Sequence, residues 1–245
     1  MKKIVSLVVA ALVMCSCADS FLSEEPVGEF MPEQVESEEN IEGIVIGAYA
    51  VLDGYYASDA INSGCSNWQF GDVVSDDAYK GGGGTGDQNQ IHLMEIFNAN
   101  PTGIDFEARW AALYEGVKRC NQAIRLLSNS TVKNKEQRLA EMRFLRGHYY
   151  FNLKVIYNLI PWIDETVVDP NEYHTKSNME FTSDQLWEKI LGEFSAAYQV
   201  LPESQSDYGR PTKMAAKAYM AKVYLYQSKW KECLSACDEV IQSGK

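Results

Sequence analysis

Histidine is scarce in this chain: His92, His148 and His174 are the only three in 245 residues. None stands in an HExxH or comparable spacing, so no zinc-hydrolase motif is present. Positive charge is short as well. Lys and Arg number 22 against 34 Asp and Glu, a formal net charge of −12, and no basic run offsets it. Nucleic-acid binding draws most of its affinity from phosphate neutralisation, so it is excluded. The acidity fits a solvated surface. Apolar runs long enough to cross a bilayer as a helix are missing; the stretch Ile4–Met14 has only 11 residues. No stretch keeps the two-residue alternation of a strand for any length. Gly81 to Gly84 stand in a row but lack the following Lys-Ser/Thr of a phosphate loop, and read as a flexible glycine-rich tip. Asp76 and Asp77 are adjacent, so their side chains diverge, whereas glycoside hydrolysis needs two carboxyl groups at a set separation. Nothing here indicates an enzyme, a metal centre or a cofactor.

The amino terminus carries an address. Lys2 and Lys3 precede Ile4–Met14, the charge and length of a signal-peptide start. The run ends at Met14-Cys15-Ser16-Cys17. A cysteine there, preceded by a small residue, resembles the lipobox of bacterial lipoproteins. Cys17 follows Ser16 and fits better than Cys15, which follows bulky Met14. Residues 1–16 are then a lipoprotein signal peptide and Cys17 the lipidated residue, each buried CH₂ of its acyl chains contributing about 0.8 kcal/mol. Removing Lys2 and Lys3 takes the charge from −12 to −14. Residues 17–36, acidic and holding Pro26 and Pro32, read as a tether to the folded body.

That body, residues 37–245, reads as mostly α. Six helices follow from apolar residues recurring at helical spacing. The first begins after Ser37, a candidate N-cap, and carries Ile41, Ile44, Val45, Ala48, Tyr49 and Leu52. From about 54 to 103 the helical pattern lapses into a long irregular insertion rich in Gly, Asp and Asn; loops of this length are usually functional or disordered. The second helix spans about Ile104 to Leu127, with Trp110, Leu113, Tyr114, Val117, Cys120, Asn121 and Ile124 on one face. The third starts near Asn134, with Gln137 in capping-box position, and is ended by Pro161. An irregular acidic stretch, 163–178, follows. The fourth opens at Thr182 with Gln185 three residues on, buries Leu186, Ile190, Phe194 and Ala197, and is closed by Pro202. The fifth runs from Thr212 to about Tyr226 and the sixth from Trp230 to Gln242, with Gly244 as its stop.

The last two helices, about 212–245, are joined by a turn at Gln227-Ser228-Lys229 and resemble a tetratricopeptide hairpin. Small residues (Ala215, Ala216, Ala218, Ala221) face Cys233 and Cys237, which read as small buried packing residues rather than ligands. Four cysteines, Cys65, Cys120, Cys233 and Cys237, are too scattered to form a disulfide framework. A stacked pair buries its faces only against neighbours, so an exposed apolar face is expected beyond the sixth helix.

Several segments together resemble the SusD/RagB family of outer-membrane nutrient-uptake lipoproteins. Cys17-Ala18-Asp19-Ser20-Phe21-Leu22 is similar to the family's start. Trp110-x₃-Tyr114-x₆-Asn121 is similar to its second-helix signature, and Ala140-Glu141-Met142-Arg143-Phe144-Leu145-Arg146-Gly147 to its strongest motif, with Met142 and Gly147 in place of usual alanines. Gly147 should weaken the helix by about 1 kcal/mol relative to Ala. Gly209-Arg210-Pro211-Thr212 onward resembles its repeat segment. The resemblance implies a SusD-like α-α superhelix of tetratricopeptide-like hairpins. It also implies that this is the amino-terminal part, the carboxy-terminal half of the family being absent.

The implied role is non-catalytic. Such proteins sit lipid-anchored on the outer face of the outer membrane, bind glycan, oligosaccharide or peptide nutrient, and deliver it to a SusC-like TonB-dependent transporter. Sugar binding needs aromatic faces beside polar groups, and the 54–103 insertion offers both. Trp68, Phe70, Asp76, Asp77, Tyr79 and Asn98 are the candidate ligand-binding residues, Trp68 foremost. The alternative is a tetratricopeptide-like adaptor lipoprotein that binds a protein partner in the cell envelope.

Overall fold

A computed structural model of the protein describes residues 38–54 and 67–244. The signal peptide, Cys17, the tether, Ser37 and Cys65 lie outside the described residues. Among those described, every regular element is helical: α1 Glu38–Ala50, continued by a tight turn Val51–Asp53, α2 Asn89–Glu95, α3 Ile104–Asn129, α4 Lys135–Tyr157, α5 Pro170–Tyr173, α6 Ser183–Val200, α7 Lys213–Tyr226 and α8 Trp230–Gln242. A five-residue π-helical turn, Trp68–Asp72, precedes α2.

Local chemistry sets most helix ends. Thr182 accepts from Gln185 N and Gln185 reaches back to Thr182 N, a complete capping box. Thr212 caps α7 by accepting from Ala215 N. The box expected at Asn134 does not form. Gln137 instead donates to Gln205 Oε1 at 2.7 Å, a partner 68 residues away. Pro161 does not end α4 either. The chain leaves the helix at Asn158, whose φ of 62° puts it in the left-handed region that asparagine tolerates.

Helices pack in chain order as antiparallel neighbours. Trp110, Gly116 and Asn121 of α3 meet Tyr157, Tyr149 and Arg146 of α4, so position falls on one helix as it rises on the other. The same reversal links α4 to α6 through Phe144–Phe194 and Phe151–Trp187, and α6 to α7 through Phe194–Tyr219 and Trp187–Tyr226. These are stacked tetratricopeptide-like hairpins, with α1 laid across α3 and α4. Their shared core holds Leu113, Val117, Met142, Leu145, Leu153, Leu186, Ile190 and Phe194. Each such side chain contributes roughly 1.5–3 kcal/mol on burial.

Gly147 does more than weaken α4. A Cβ there would lie 2.9 Å from the buried Phe194 ring and 3.2 Å from Glu193 Cβ, so its bareness lets α6 approach. In α8 only Ala236 is fully buried. Cys233 and Cys237, expected inside, are half-buried free thiols, because among the described residues α8 packs chiefly against α7. Trp230, Leu234 and Ile241 face outward, the exposed apolar face anticipated from the repeat pattern.

Candidate functional site

The insertion is more ordered than its composition suggests. Its described part, 67–103, holds the π-helical turn and α2 where no helix was expected. Arg109, buried in α3, anchors the turn. Its Nη2 donates to Asn67 Oδ1 at 2.9 Å, and its guanidinium lies 5.7 Å from the centre of the Phe70 ring. Phe70 also meets Phe106 edge-on at 5.5 Å.

The glycine run closes around two charges rather than forming a loose tip. Lys80 Nζ donates to the carbonyls of Gly81 and Gly84 at 3.0 and 3.1 Å, and Asp87 Oδ2 accepts from Gly83 N at 3.0 Å. Gly82, at φ 76°, admits no side chain, since a Cβ would sit 2.1 Å from the Asp87 carboxylate. Lys80 N donates to Glu95 Oε1 at 3.0 Å, which ties this turn to the end of α2. That backbone N–H holds the Glu95 carboxyl below its ordinary pKa.

The candidate ligand residues therefore divide by what already holds them. Phe70 is engaged by Phe106 and Arg109, and its ring is part of the anchor. Trp68 is half-buried in the same turn. Asp76, Asp77 and Asn98 are exposed, with Asp77 accepting from Ser75 Oγ at 3.1 Å. Tyr79 is the freest candidate aromatic at 80% exposure. Phe97, two residues beyond Glu95, is 74% exposed and in a left-handed conformation. Exposed aromatics with carboxylates and amides nearby can stack on a sugar ring and bond its hydroxyls. Among the described residues no group of three or more His, Cys, Asp and Glu could hold a metal ion.

Tyr114, Asn121, Glu141 and Arg146, which carried much of the family likeness, tie elements of the fold together. Tyr114 Oη donates to Pro161 O at 2.7 Å, and Asn121 Nδ2 donates to Ile163 O at 2.9 Å. Burial pushes the Tyr114 phenol well above its ordinary pKa, which keeps it a donor. Arg146 makes a two-pronged bond to Glu193, with Nε and Nη2 at 3.0 and 2.9 Å from its oxygens. Its Nη1 donates to Asn121 Oδ1 at 2.8 Å and also to Glu165. Burial alone would lower the Arg146 pKa; Glu193 and Glu165 outweigh it and hold the guanidinium above its usual value. A second cluster centres on Glu141, wholly buried, which accepts from Arg138, Arg210 and Tyr49. His148 is half-buried and packed against Tyr149 and Tyr219. Its Nδ1 lies 2.8 Å from Tyr219 Oη, and burial, with Arg109 and Lys222 nearby, brings its pKa down to about 4. Arg146 and Glu141 are legible as motif letters, but most of their partners are distant in sequence: Glu193 on α6, Asn121 on α3, Tyr49 on α1, and Glu165 and Arg210 on connecting segments.

A family model described as "Starch-binding associating with outer membrane", of SusD-like type, matches residues 20–225. The chain is similar to SusD-like protein P2 of Formosa agariphila, at 24% identity over 98% of this chain and 46% of that protein. It is also similar to a SusD-like protein of Bacteroides ovatus, at 25% identity over 93% of this chain and 40% of that one. Among solved structures, a laminarin-binding SusD-like protein matches with TM-score 0.70 and 26% identity, over 84% of this chain and 43% of the other. Surface glycan-binding protein A from Bacteroides thetaiotaomicron, solved with laminarihexaose, matches with TM-score 0.68 and 29% identity, over 83% and 43%. The chain spans less than half the length of each of these relatives.

Proposed function

The chain belongs to the SusD-like family, and on that premise we propose that it is a glycan-binding lipoprotein of the outer membrane. In this reading Cys17 carries the lipid, the body faces outward, and bound glycan passes to a SusC-like TonB-dependent transporter. The observation that carries it is the likeness to a surface glycan-binding protein solved with laminarihexaose. Exposure in the 67–103 stretch supports the reading: Tyr79 and Phe97 are open to solvent, as are Asp76, Asp77 and Asn98. The reading is of binding without cleavage, since Asp76 and Asp77 are solvated neighbours and not an opposed pair.

Calorimetric titration with laminarihexaose and maltohexaose tests the binding. Trp68→Ala and Tyr79→Ala should each weaken affinity, by roughly 0.5–1.5 kcal/mol if a ring stacks there. No heat from either sugar with the unsubstituted chain would count against glycan as cargo and leave peptide or the adaptor reading. The adaptor reading draws on the apolar face of α8, and would be favoured if Trp230→Glu abolished capture of an envelope protein. Cys17→Ala should move the protein out of the membrane fraction; unchanged fractionation would refute the anchor.

A further inference from the structure

A hollow of about 330 Å³ lies on the outer side of α3, between that helix and the chain running from Pro161 to Tyr173. Its lining includes Trp110, Ala111, Tyr114 and Lys118 from α3, faced by Pro161 and Tyr173. None of these residues belongs to the 67–103 surface. The volume falls at the lower end of small-ligand sites, about 300–1,000 Å³.

The hollow has a physical origin. Residues 111, 114, 115 and 118 share one face of α3, and Ala111 is the small one among larger neighbours. The opposite wall is pinned by Tyr114 to Pro161 and by Asn121 to Ile163. Trp110 is held by Tyr114 at 4.8 Å and by Tyr157, edge-on, at 4.9 Å. The hydroxyl of Tyr114 and the amide of Asn121 are thus already bonded. The hollow keeps an aromatic wall; its remaining polar lining is Lys118, Tyr173 and Glu115, one oxygen of which already accepts from Arg119 Nε at 2.9 Å.

That distribution suits a ring with an apolar face and a hydroxyl-bearing edge. We propose that the hollow is a second carbohydrate contact, a subsite for one pyranose unit packed on Trp110 and Tyr173 with its hydroxyls bonded by Glu115 and Lys118. The inference rests on the glycan-binding reading and deepens it. A long glycan held at the 67–103 surface and at this subsite would gain avidity from the two contacts on one body.

The test is titration of laminarihexaose into the chain and into Ala111→Leu and Tyr173→Ala, with hydroxyl-radical footprinting of the unsubstituted chain. Ala111 is exposed and Leu is nearly as good a helix former, so the first variant fills the hollow without disturbing α3. Tyr173 is half-buried on the four-residue α5, so its removal leaves the core intact. Unchanged thermal midpoints check both. The expected result is an affinity loss of about tenfold in each, with sugar-dependent protection of Trp110 and Tyr173. If the sugar binds, Tyr79→Ala weakens it, and neither Ala111→Leu nor Tyr173→Ala does, the subsite is overturned while the glycan reading stands. If neither laminarihexaose nor maltohexaose binds the chain or any variant, both fall.

Discussion

Replacing Arg146 by Met tests whether the hairpins are locked by a buried ion pair. The side chain joins three elements: Glu193 on α6, Asn121 on α3 and Glu165 on the connecting segment. Arg146 is 2% exposed and Glu193 7%, so removing the guanidinium leaves a carboxylate facing a core that cannot hydrate it. Breaking one side of such a pair costs about 3–5 kcal/mol. Glu165 is more exposed and can turn to water, so it adds at most about 1 kcal/mol. Asn121 retains its bond to Ile163. For a domain of this size, about 2–4 °C per kcal/mol, the thermal midpoint should fall by roughly 6–20 °C. The double variant Arg146→Met with Glu193→Leu removes the stranded charge and should recover most of that loss, because a buried pair is often replaceable by apolar residues of similar volume. Arg146→Lys should fall between, since one ammonium cannot span both oxygens and the amide. Urea unfolding at neutral pH, followed by circular dichroism, measures all four proteins. A double variant no more stable than Arg146→Met, or a cost below about 1 kcal/mol for that single change, would refute the buried lock.

Two helical glycines should respond to alanine with opposite sign. Gly192→Ala, in α6 with nothing within 4 Å of the added Cβ, should stabilise by about 0.4–1 kcal/mol. Gly147→Ala, which meets Phe194, should destabilise by about 1–3 kcal/mol less that helix gain; equal shifts in denaturant midpoint would contradict the packing argument. His148 has a folded-state pKa of about 4, depressed from 6.5 mainly by burial. Below pH 6.5 the unfolded chain binds the extra proton, so stability is full above that pH and falls toward pH 4 by up to about 3 kcal/mol. In His148→Gln that part of the acid slope should disappear, and a profile unchanged from the parent would show that His148 does not carry it. Tyr149→Phe removes the 2.7 Å bond to Ala48 O. The buried carbonyl then lacks its partner, at about 1–3 kcal/mol. Hydrogen exchange should quicken in α1 first, and a uniform acceleration across all helices would argue against a local tie.

The sequence by itself determined the helices that have local causes. Periodic apolar faces placed α3, α4, α6, α7 and α8 within a few residues, and Thr182 with Gln185 marked the start of α6 because a capping box needs only four consecutive residues. Family membership was legible for the same reason: Trp110-x₃-Tyr114-x₆-Asn121 and the Glu141–Arg146 motif are short patterns written along single helices. What those letters do was decided by tertiary structure. Arg146 meets Glu193 across 47 residues and Tyr114 meets Pro161 across another 47, distances over which no periodicity carries information. The candidate site divides in the same way. Aromatics beside acids pointed to the 54–103 stretch, but which rings are free depended on Arg109 and Phe106 reaching Phe70 from α3. The hollow beside Trp110 left one faint mark in the sequence, an alanine among large neighbours at helical spacing. Its far wall exists only because side chains of α3 bond to backbone carbonyls that the chain brings back after α4 has turned. Helical spacing is a property of neighbours in the chain; a cavity is a property of surfaces that meet, and only folding brings those together.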